Sequence, residues 1–263
     1  MPQVPDLDAV VALLDEAAAA SGAALSAYRN AISTQGGMRA KGDRPGQYRL
    51  DLAVDSAVLG VLSDPGIGVL SEESGLTRGD SEVVIVVDPV DGSTNASRGI
   101  PWYACSLCAV DSAGPWVALV VNLATGVRHS ATRGQGAYRC ELGGDPHRVE
   151  TSGTTTVADS LVLLNGHPPA HFGWRQYRSL GATALDICAV ADGSADATID
   201  CTRDALGPWD YMAAMLILAE AGGAISDTWD RDLVVLEPGA RRTPVSAASV
   251  DLLSAALDAR GTG

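Results

Sequence analysis

The segment "EVVIVVDPVDGSTN" at residues 82–95 limits the possible fold more than any other part of the chain. Its five consecutive apolar residues, 83–87, predict a strand that other elements cover on both faces. Two carboxylates, Asp88 and Asp91, follow directly. The end of a buried strand holds side chains rigidly at the edge of a core, so this pair of acids predicts a site rather than an ordinary loop.

Apolar patterns with helical and with strand spacing alternate unevenly along the rest of the chain. They predict a layered α+β or α/β sandwich built from two packed lobes, residues 1–142 and 143–263. Helices are predicted at 6–30, 48–62, 183–193, 208–223 and 246–259. Strands are predicted within 67–75, 83–88, 103–111, 116–126, 126–140, 160–166 and 195–200. The polar, glycine-rich segment 33–47 predicts a mobile loop, and 141–153 predicts the seam between the lobes.

The first predicted helix has one apolar face and several acids. The predicted face consists of Val10, Val11, Leu14, Ala18 and Leu25, with Asp6 as the cap. A secretory signal needs a basic start and an uninterrupted apolar middle, and acids interrupt this segment. A membrane span needs a run of about 18 apolar residues, which the sequence lacks. We therefore expect no membrane partner.

The charge and the cysteines narrow the function class. The formal net charge of −14 argues against nucleic acid as a partner, because binding to phosphate backbones needs a basic face. The five cysteines are irregularly spaced, and strand periodicity places Cys105 and Cys108 on opposite faces. Free buried thiols in a reducing cytosol fit this pattern better than a metal site, so a cytoplasmic location is predicted.

Three acidic clusters each lie at the end of an apolar element. They are Glu72 with Glu73 after a short strand, Asp88 with Asp91, and Asp210 just before the apolar helix. Such carboxylates suit hard divalent cations such as Mg²⁺, and two adjacent ions would suit phosphoryl chemistry. Taken singly, each cluster is also explained by a turn, a helix cap or a solvated loop. Together they favour a metal site.

The segment that follows Asp91 adds a second feature. Gly92 allows the backbone to approach a ligand closely. Backbone N–H groups there, with the hydroxyl groups of Ser93 and Thr94, suit a phosphate. An ordinary glycine-containing turn gives the same short sequence, so this feature is weak evidence by itself.

Four segments, in the same order, resemble the signatures of the inositol monophosphatase family. "DPVDGSTN" resembles its D-P-[hydrophobic]-D-G-[T/S]-x-N signature, and "WDYMAAMLILAEAGG" resembles its W-D…E-A-G-G signature. "GVLSEESG" resembles the family's G-E-E-S segment, and "YRSLGATALDICAVADGSADATI" resembles the stretch from R-S-x-G to A-D-A. The matched regions extend over roughly residues 50–225, and such long signatures are specific in combination.

The resemblance implies the layered fold of that family and two Mg²⁺ ions, with a third, weaker Mg²⁺ site that again uses Glu72. It assigns metal binding to five residues: Glu72, Asp88, Val90 through its carbonyl, Asp91 and Asp210. Glu72, Ser93 and Asp51 take the catalytic roles, with Ser93 and Glu72 holding the attacking water and Asp51 orienting the site. Gly92, Ser93 and Thr94 receive the phosphate group.

The resemblance also implies the residues that contact the substrate's alcohol part. These are Asp91, Gly181, Ala182, Thr183, Asp200, Asp204 and Asp210. The segment before Asp210 is longer than is typical of the family and places Asp200, Arg203 and Asp204 where the family has one acid. The sequence leaves the choice among these three open.

Several positions depart from the family pattern. Tyr48 stands where Thr is usual, and the loop before Asp51 matches poorly around Lys41, which puts the third metal site in doubt. Ser93 replaces the usual Thr and keeps the hydroxyl group, whereas Ala96 replaces a Phe. These changes indicate an altered substrate pocket around an intact set of metal ligands.

The resemblance implies a lithium-sensitive, Mg²⁺-dependent phosphomonoesterase, commonly a homodimer, with a small polyol or sugar phosphate as substrate. Inositol-1-phosphate is the default substrate. Histidinol phosphate, a fructose bisphosphate, an aminocyclitol phosphate and a nucleotide 3′-phosphate are the alternatives. A different class of function is a metal-binding regulatory protein of the same fold that has lost catalysis, an alternative supported only by Ser93 and the altered loop.

Overall fold

The computed structural model describes residues 5–32, 35–63 and 66–261. Its helices are α1 (Leu7–Ala31), α2 (Gln35–Met38), α3 (Arg49–Val61), α4 (Ser93–Arg98), α5 (Thr183–Ala191), α6 (Pro208–Glu220) and α7 (Val250–Arg260). Its first eight strands are β1 (Gly68–Ser71), β2 (Gly75–Thr77), β3 (Val84–Asp91), β4 (Ala104–Asp111), β5 (Gly114–Asn122), β6 (Arg128–Thr132), β7 (Ala137–Cys140) and β8 (His147–Val149). The last five are β9 (Leu161–Asn165), β10 (Gln176–Arg178), β11 (Ala197–Asp200), β12 (Ala224–Asp227) and β13 (Pro244–Ala247).

These strands form two sheets. The first has the order β2-β1-β3-β4-β5-β6-β7-β8, and the second has the order β10-β9-β11-β13-β12. Helices α1 and α3 pack on one face of the first sheet, and α5 and α6 fill the space between the sheets. Helix α7 packs on the second sheet. The predicted layered sandwich of helices and sheets is therefore confirmed.

Strand β3 shows why the central segment is apolar without interruption. Val84 and Val86 pack into the core between the sheets, whereas Ile85 and Val87 pack into the core under α1 and α3. Neighbouring side chains of a strand point to opposite faces, and both faces are covered. Cys105 and Cys108 likewise lie in different cores, as the periodicity predicts, and both are free thiols.

The N-terminal helix is close to the prediction, with one error on its apolar face. Val10, Leu14, Ala18 and Leu25 are buried, but Val11 is 38% exposed because the buried face is narrower than predicted. Asp6 occupies the N-cap without a side-chain hydrogen bond. By length and composition alone this helix could cross a membrane, with a mean hydropathy of 1.4. One third of that apolar window is buried, on the face that packs against the first sheet.

Two predicted elements differ from the structure, one near the C-terminal end and one between α1 and α3. The helix predicted at 246–259 begins only at Val250, because 244–247 form strand β13, which pairs with β11 and β12. The side chain of Ser249 then caps α7 by accepting a hydrogen bond from the Leu252 amide. The predicted loop 33–47 contains α2, while residues 33–34 lie outside the described part of the chain.

The division into lobes at residue 142 stays a prediction. Strand β8, which begins at His147, is hydrogen-bonded to β7, so the first sheet continues beyond that position. The core between the sheets includes residues from both halves of the chain, for example Val86 and Ile199.

Candidate active site

Three carboxylates from distant parts of the chain meet at the carboxyl end of β3. One oxygen each of Asp88, Asp91 and Asp210 lies within 4.8 Å of the others. The first two belong to β3, and the third lies in the first turn of α6. Only 2% of Asp88 and 6% of Asp91 are exposed. The structure thus brings together three of the predicted metal ligands, two of them buried and Asp210 half-buried.

A β-bulge lets two residues of one strand face the same side. Residues three apart on a regular strand point to opposite faces. Here Asp88 pairs with Ser106 and Asp91 pairs with Ala104, so three steps on β3 match two on β4. The extra residue in β3 compensates for the odd spacing of the two acids. Both carboxylates therefore lie on the face of the strand that is directed toward α6. The hydroxyl group of Ser21 on α1 donates a hydrogen bond to the Pro89 carbonyl at 2.8 Å and holds the bulge.

Backbone amides orient the three carboxylates. Asp88 accepts a hydrogen bond from the Val90 amide at 2.9 Å. Asp91 accepts hydrogen bonds from the amides of Thr183 and Ala184, at 3.3 and 2.8 Å, where α5 begins. Asp210 accepts a hydrogen bond from the Gly207 amide at 2.6 Å. Each side chain is therefore held without an arginine or lysine partner, within the described ranges of the chain.

The helix start predicted at residue 208 is confirmed, so Asp210 lies inside the first turn of α6 and not just before the apolar helix, as the sequence also suggested. Helix α6 begins at Pro208, and Gly207 is the N-cap. Proline is well tolerated at the first position of a helix, because the amide that it lacks would have no partner there. Asp210 is the third helical residue, and its carboxylate closes the first turn on the Gly207 amide.

Glu72 joins this cluster, whereas Glu73 faces a neighbouring loop. The Glu72 amide donates to the Val87 carbonyl at 3.2 Å, so Glu72 continues β1 beside the end of β3. Its carboxyl group lies close enough to Asp88, Asp91 and Asp210 for its charge to raise their pKa values. Glu73 instead accepts hydrogen bonds from the side chains of Arg44 and Gln47.

Burial and mutual repulsion make this group of acids costly to ionise. Burial raises the pKa of Glu72 to about 7, and the neighbouring Glu73 charge adds to the rise. Burial also raises the pKa of Asp91 to about 8, with Asp186 and Glu72 adding to it. The pKa values of Asp88 and Asp210 rise well above the usual range for the same reasons. A bound divalent cation would remove this cost, which fits the oxygen-only donor set.

Asp51 and Ser93 lie side by side at the edge of the cluster. Asp51, near the start of α3, accepts a hydrogen bond from the Tyr48 amide at 2.8 Å. Its other oxygen is buried and has no hydrogen-bond partner among the described residues. Burial raises the pKa of Asp51 to about 7, while the hydrogen bond from the Tyr48 amide and the nearby Ser93 hydroxyl group partly oppose that rise. The Tyr48 hydroxyl group lies 3.3 Å from the Thr94 hydroxyl group, so α3 and α4 meet here.

Helix α4 starts with a tightly packed glycine. Gly92 has a φ of 83°, and a Cβ atom there would lie 3.0 Å from the Ala182 Cβ and 3.1 Å from the Gly181 carbonyl oxygen. The Asn95 side-chain amide donates to the carbonyl groups of Leu180 and Trp102, at 2.7 and 2.8 Å. The loop 180–182 is thereby clamped beside the predicted phosphate-binding residues.

The structure separates the acids that the sequence left undecided. Asp200 ends β11, and one of its oxygens accepts hydrogen bonds from the Thr202 amide and the Asn165 side chain, at 2.9 and 3.3 Å. Its other oxygen is buried without a partner in the described residues. Asp204 pairs with Arg231 at 2.8 Å and lies 3.5 Å from Arg203.

Two further charged residues near the cluster were missed at the sequence level. Asp186 on α5 accepts a hydrogen bond from the Trp102 indole at 2.7 Å, and burial raises its pKa to about 7. An acid inside the apolar run of α5 was the available signal. The guanidinium of Arg241, 5.1 Å from the Trp209 ring centre, lowers the pKa values of Glu72 and Asp210. Nothing local to Arg241 indicated this proximity.

Comparisons with known proteins agree on one family. The sequence model of the inositol monophosphatase family matches residues 6–256. A fructose-1,6-bisphosphatase/inositol-1-monophosphatase of Archaeoglobus fulgidus is 33% identical over 181 residues, which are 67% of this chain and 68% of that protein. The Nus factor SuhB of Escherichia coli K12 is 32% identical over 208 residues, which are 71% of this chain and 73% of that protein.

Solved structures show the same fold. The crystal structure of the extragenic suppressor protein SuhB from Bartonella henselae superposes with a TM-score of 0.79 at 24% identity. The match covers 97% of this chain and 99% of that chain. At this level of identity the likeness establishes the architecture alone.

The close packing around Gly92 predicts the effect of a methyl group there. Gly99 has a φ of 74° but open space around it. We therefore expect Gly99→Ala to lower the free energy of unfolding by about 1–2 kcal/mol from backbone strain alone. Gly92→Ala adds the contacts with loop 180–182 and is expected to cost at least about 1 kcal/mol more. Urea unfolding of both variants measures the difference, and equal costs would contradict this packing.

The acid cluster predicts that Mg²⁺ stabilises the protein more at pH 8 than at pH 5. Without a cation, the folded state keeps protons that the unfolded chain releases near pH 4. The free energy of unfolding should therefore fall as the pH rises through the raised values of about 7 and 8. At pH 8, saturating Mg²⁺ should add about 3 kcal/mol, or about 5–10 °C in Tm.

Thermal unfolding with Mg²⁺, against NaCl of equal ionic strength, checks this expectation. At pH 5 the protonated carboxyl groups compete with the ion, so the gain should be small. Equal gains at both pH values, or an undiminished gain in Asp210→Asn, would rule out the cluster as the binding site.

Proposed function

The chain belongs to the inositol monophosphatase family, and from this premise we propose that it is a Mg²⁺-dependent phosphatase of small polyol or sugar phosphates. The observation that carries the proposal is the cluster of Asp88, Asp91 and Asp210, of which the first two are buried. No Lys, Arg or His side chain forms an ion pair with these three acids within residues 5–32, 35–63 and 66–261.

The donor set fits two Mg²⁺ ions. We assign Glu72, Asp88 and the Val90 carbonyl to one ion, and Asp88, Asp91 and Asp210 to the other. All of the side-chain donors are carboxylates, which hard divalent cations prefer. A third ion at Glu72 is less well supported, because Arg44 donates a hydrogen bond to the Glu72 carbonyl at 3.4 Å and its positive charge lowers the pKa of Glu72.

Ser93 and Asp51 are assigned to the attacking water. When bound, the ions supply positive charge that activates the water and neutralises the phosphate group. The Ser93 hydroxyl group, which lies beside Asp51, orients the water together with Glu72. The water oxygen bonds to phosphorus, the ester P–O bond breaks, and the alcohol oxygen takes up a proton. The Asp51 carboxylate, with one unpartnered oxygen and a pKa of about 7, can hold the water's proton near neutral pH.

The residues that follow the bulge are assigned to the substrate. Gly92, Ser93 and Thr94 turn the chain from β3 into α4 directly beside Asp91, where their backbone can receive the phosphate oxygens. The clamp between Asn95 and Leu180 keeps loop 180–182 beside them, which supports Gly181, Ala182 and Thr183 as contacts to the alcohol part. Asp91 and Asp210 border the same space.

Among the three undecided residues, Asp200 is the best candidate for gripping substrate hydroxyl groups. Its unpartnered oxygen can accept a hydrogen bond, whereas Asp204 is already paired with Arg231. A carboxylate suits hydroxyl-rich or cationic alcohols, which favours inositol-1-phosphate, histidinol phosphate, a sugar phosphate or an aminocyclitol phosphate over a nucleotide. The Archaeoglobus relative is named for both inositol-1-phosphate and fructose-1,6-bisphosphate, so both belong in a substrate screen.

The second candidate is a regulatory protein that binds metal without turnover. The Escherichia coli relative is named as a Nus factor, which favours this alternative. The position of Ser93 beside the Asp51 carboxylate, which has one unpartnered oxygen, favours catalysis, because a protein that only binds metal has no need for this arrangement. We also propose a cytoplasmic homodimer, as the family resemblance and the five free cysteines suggest.

Phosphate release from a phosphomonoester panel tests the proposal directly. We expect Mg²⁺-dependent turnover of inositol-1-phosphate or of one of the alternatives, with millimolar lithium lowering the rate. Asp91→Asn should reduce turnover at least about 1000-fold, because it removes a ligand and a charge from the cluster. Asp258→Asn, an exposed change on α7, is the matched control and should keep the wild-type rate.

Circular dichroism and thermal unfolding must show that Asp91→Asn still folds. No turnover by the wild type on any substrate, with Mg²⁺ still bound, would support the regulatory alternative. Wild-type turnover by a folded Asp91→Asn would overturn the assignment of the metal ligands.

Asp200→Asn should act on substrate binding rather than on chemistry. We expect KM for a hydroxyl-rich substrate to rise about tenfold with kcat nearly unchanged, since a charged hydrogen bond is lost. Asp204→Asn should change KM less than about twofold, because this carboxylate pairs with arginine instead. Steady-state kinetics of both variants check the choice, and the reverse ranking would assign the contact to Asp204.

A further inference from the structure

A cavity lies apart from the acid cluster, between α5 and strands β6 and β7. It has a volume of about 310 Å³. Its apolar walls come from Pro101, Trp102, Val127, Leu185 and Ala189. This volume lies at the lower end of the range for small-molecule pockets and is about ten times the volume that one water occupies.

Two polar side chains share one wall of this cavity. His129 on β6 and Arg139 on β7 are directly opposite each other in the antiparallel pair, so both point to the same face. Only 5% of His129 is exposed. The Nδ1 atom of His129 and the Nε atom of Arg139 are buried and lack a hydrogen-bond partner within the described part of the chain.

The other nitrogen atoms of this pair are already engaged. His129 Nε2 lies 2.9 Å from a carboxylate oxygen of Asp192, which is itself held by the Ser194 amide at 3.1 Å. Arg139 Nη1 lies 3.6 Å from the same Asp192 oxygen, and Arg139 Nη2 lies 2.8 Å from Glu141. These contacts fix both side chains beside Asp192, which also lines the cavity, and leave Nδ1 and Nε as buried atoms without a hydrogen-bond partner in the described residues.

We propose that this cavity binds a small carboxylate with an apolar or aromatic body. The Arg139 Nε–H group can only donate, so it requires an acceptor such as a carboxylate oxygen. The His129 Nδ1–H group donates to the second oxygen when the ring carries both protons, with Asp192 supporting its Nε2–H group. The apolar body then packs against Trp102, Leu185 and Ala189.

The position of the cavity links it to the acid cluster through one helix. Leu185 and Ala189 of α5 line the cavity, and the Thr183 and Ala184 amides of the same helix donate to Asp91. His129 and Arg139, which form the proposed carboxylate site, are not among the predicted metal ligands. This site therefore does not depend on the phosphatase proposal.

Isothermal titration calorimetry of the full chain with benzoate and cyclohexanecarboxylate tests this site. Excess EDTA removes divalent ions, so that the carboxylate cannot bind through a metal at the acid cluster. We expect one binding site per chain, with benzyl alcohol binding at least about tenfold more weakly than benzoate because it lacks the charge.

Two variants probe different parts of the cavity. Arg139→Gln removes the donor, and Ala189→Leu fills the apolar space; each should weaken benzoate binding at least about tenfold. Arg133→Gln is the matched control, since Arg133 belongs to the same sheet region but pairs with Asp111 and does not line the cavity. It should change the affinity less than about twofold.

Thermal unfolding shows whether each variant is folded. If Arg139→Gln does not fold, Ala189→Leu still tests the cavity. Benzoate in crystals of the wild type should place its carboxylate at Arg139 and its ring against Trp102. Absence of binding of both acids to the wild type, or equal affinity in the wild type and the folded variants, would overturn the proposal.

Discussion

The structure is organised around a group of carboxylates that are buried at the end of a core strand. Burial and mutual repulsion raise the pKa values of Glu72 and Asp91 to about 7 and 8, so these acids resist ionisation without a cation. The bulge in β3 creates the group, because it turns Asp88 and Asp91 to the same face. Neighbouring elements then hold it: α1 through a hydroxyl group on the bulge, and the first turns of α5 and α6 through their amides.

The layered fold explains how such a group is kept rigid. The first sheet is covered on both faces, so β3 is fixed from both sides before its acidic end is reached. Helices α5 and α6 lie between the sheets and start near the same point, which places their amide-bearing ends beside the acids. The residues of the family's signatures are thus gathered at one place, and Tyr48, which departs from the family pattern, is buried in the core under α1 and α3 beside Thr94.

Helix α5 connects two chemically different places. Its first amides contact the acid cluster, and its later residues line a cavity in which His129 and Arg139 present unpartnered nitrogen atoms. One place gathers negative charge and suits cations, and the other offers donors beside apolar walls and suits a carboxylate. The two places differ because they lie against different parts of α5. The first turn of the helix adjoins the end of β3, and its later residues adjoin strands β6 and β7.

The sequence by itself determined the doubly buried strand, the alternation of helices and strands, and the family, because periodicity and local signatures act over a few neighbouring residues. It also drew attention to all the acids of the cluster, although their roles stay proposals. Only the tertiary structure decided what depends on distant contacts: the parity change at Asp88 and Asp91, the separation of Asp200 from Asp204, and the proximity of Asp51 to Ser93. The pairing of His129 with Asp192, 63 residues apart, has no local signal at all, since packing alone brings such positions together.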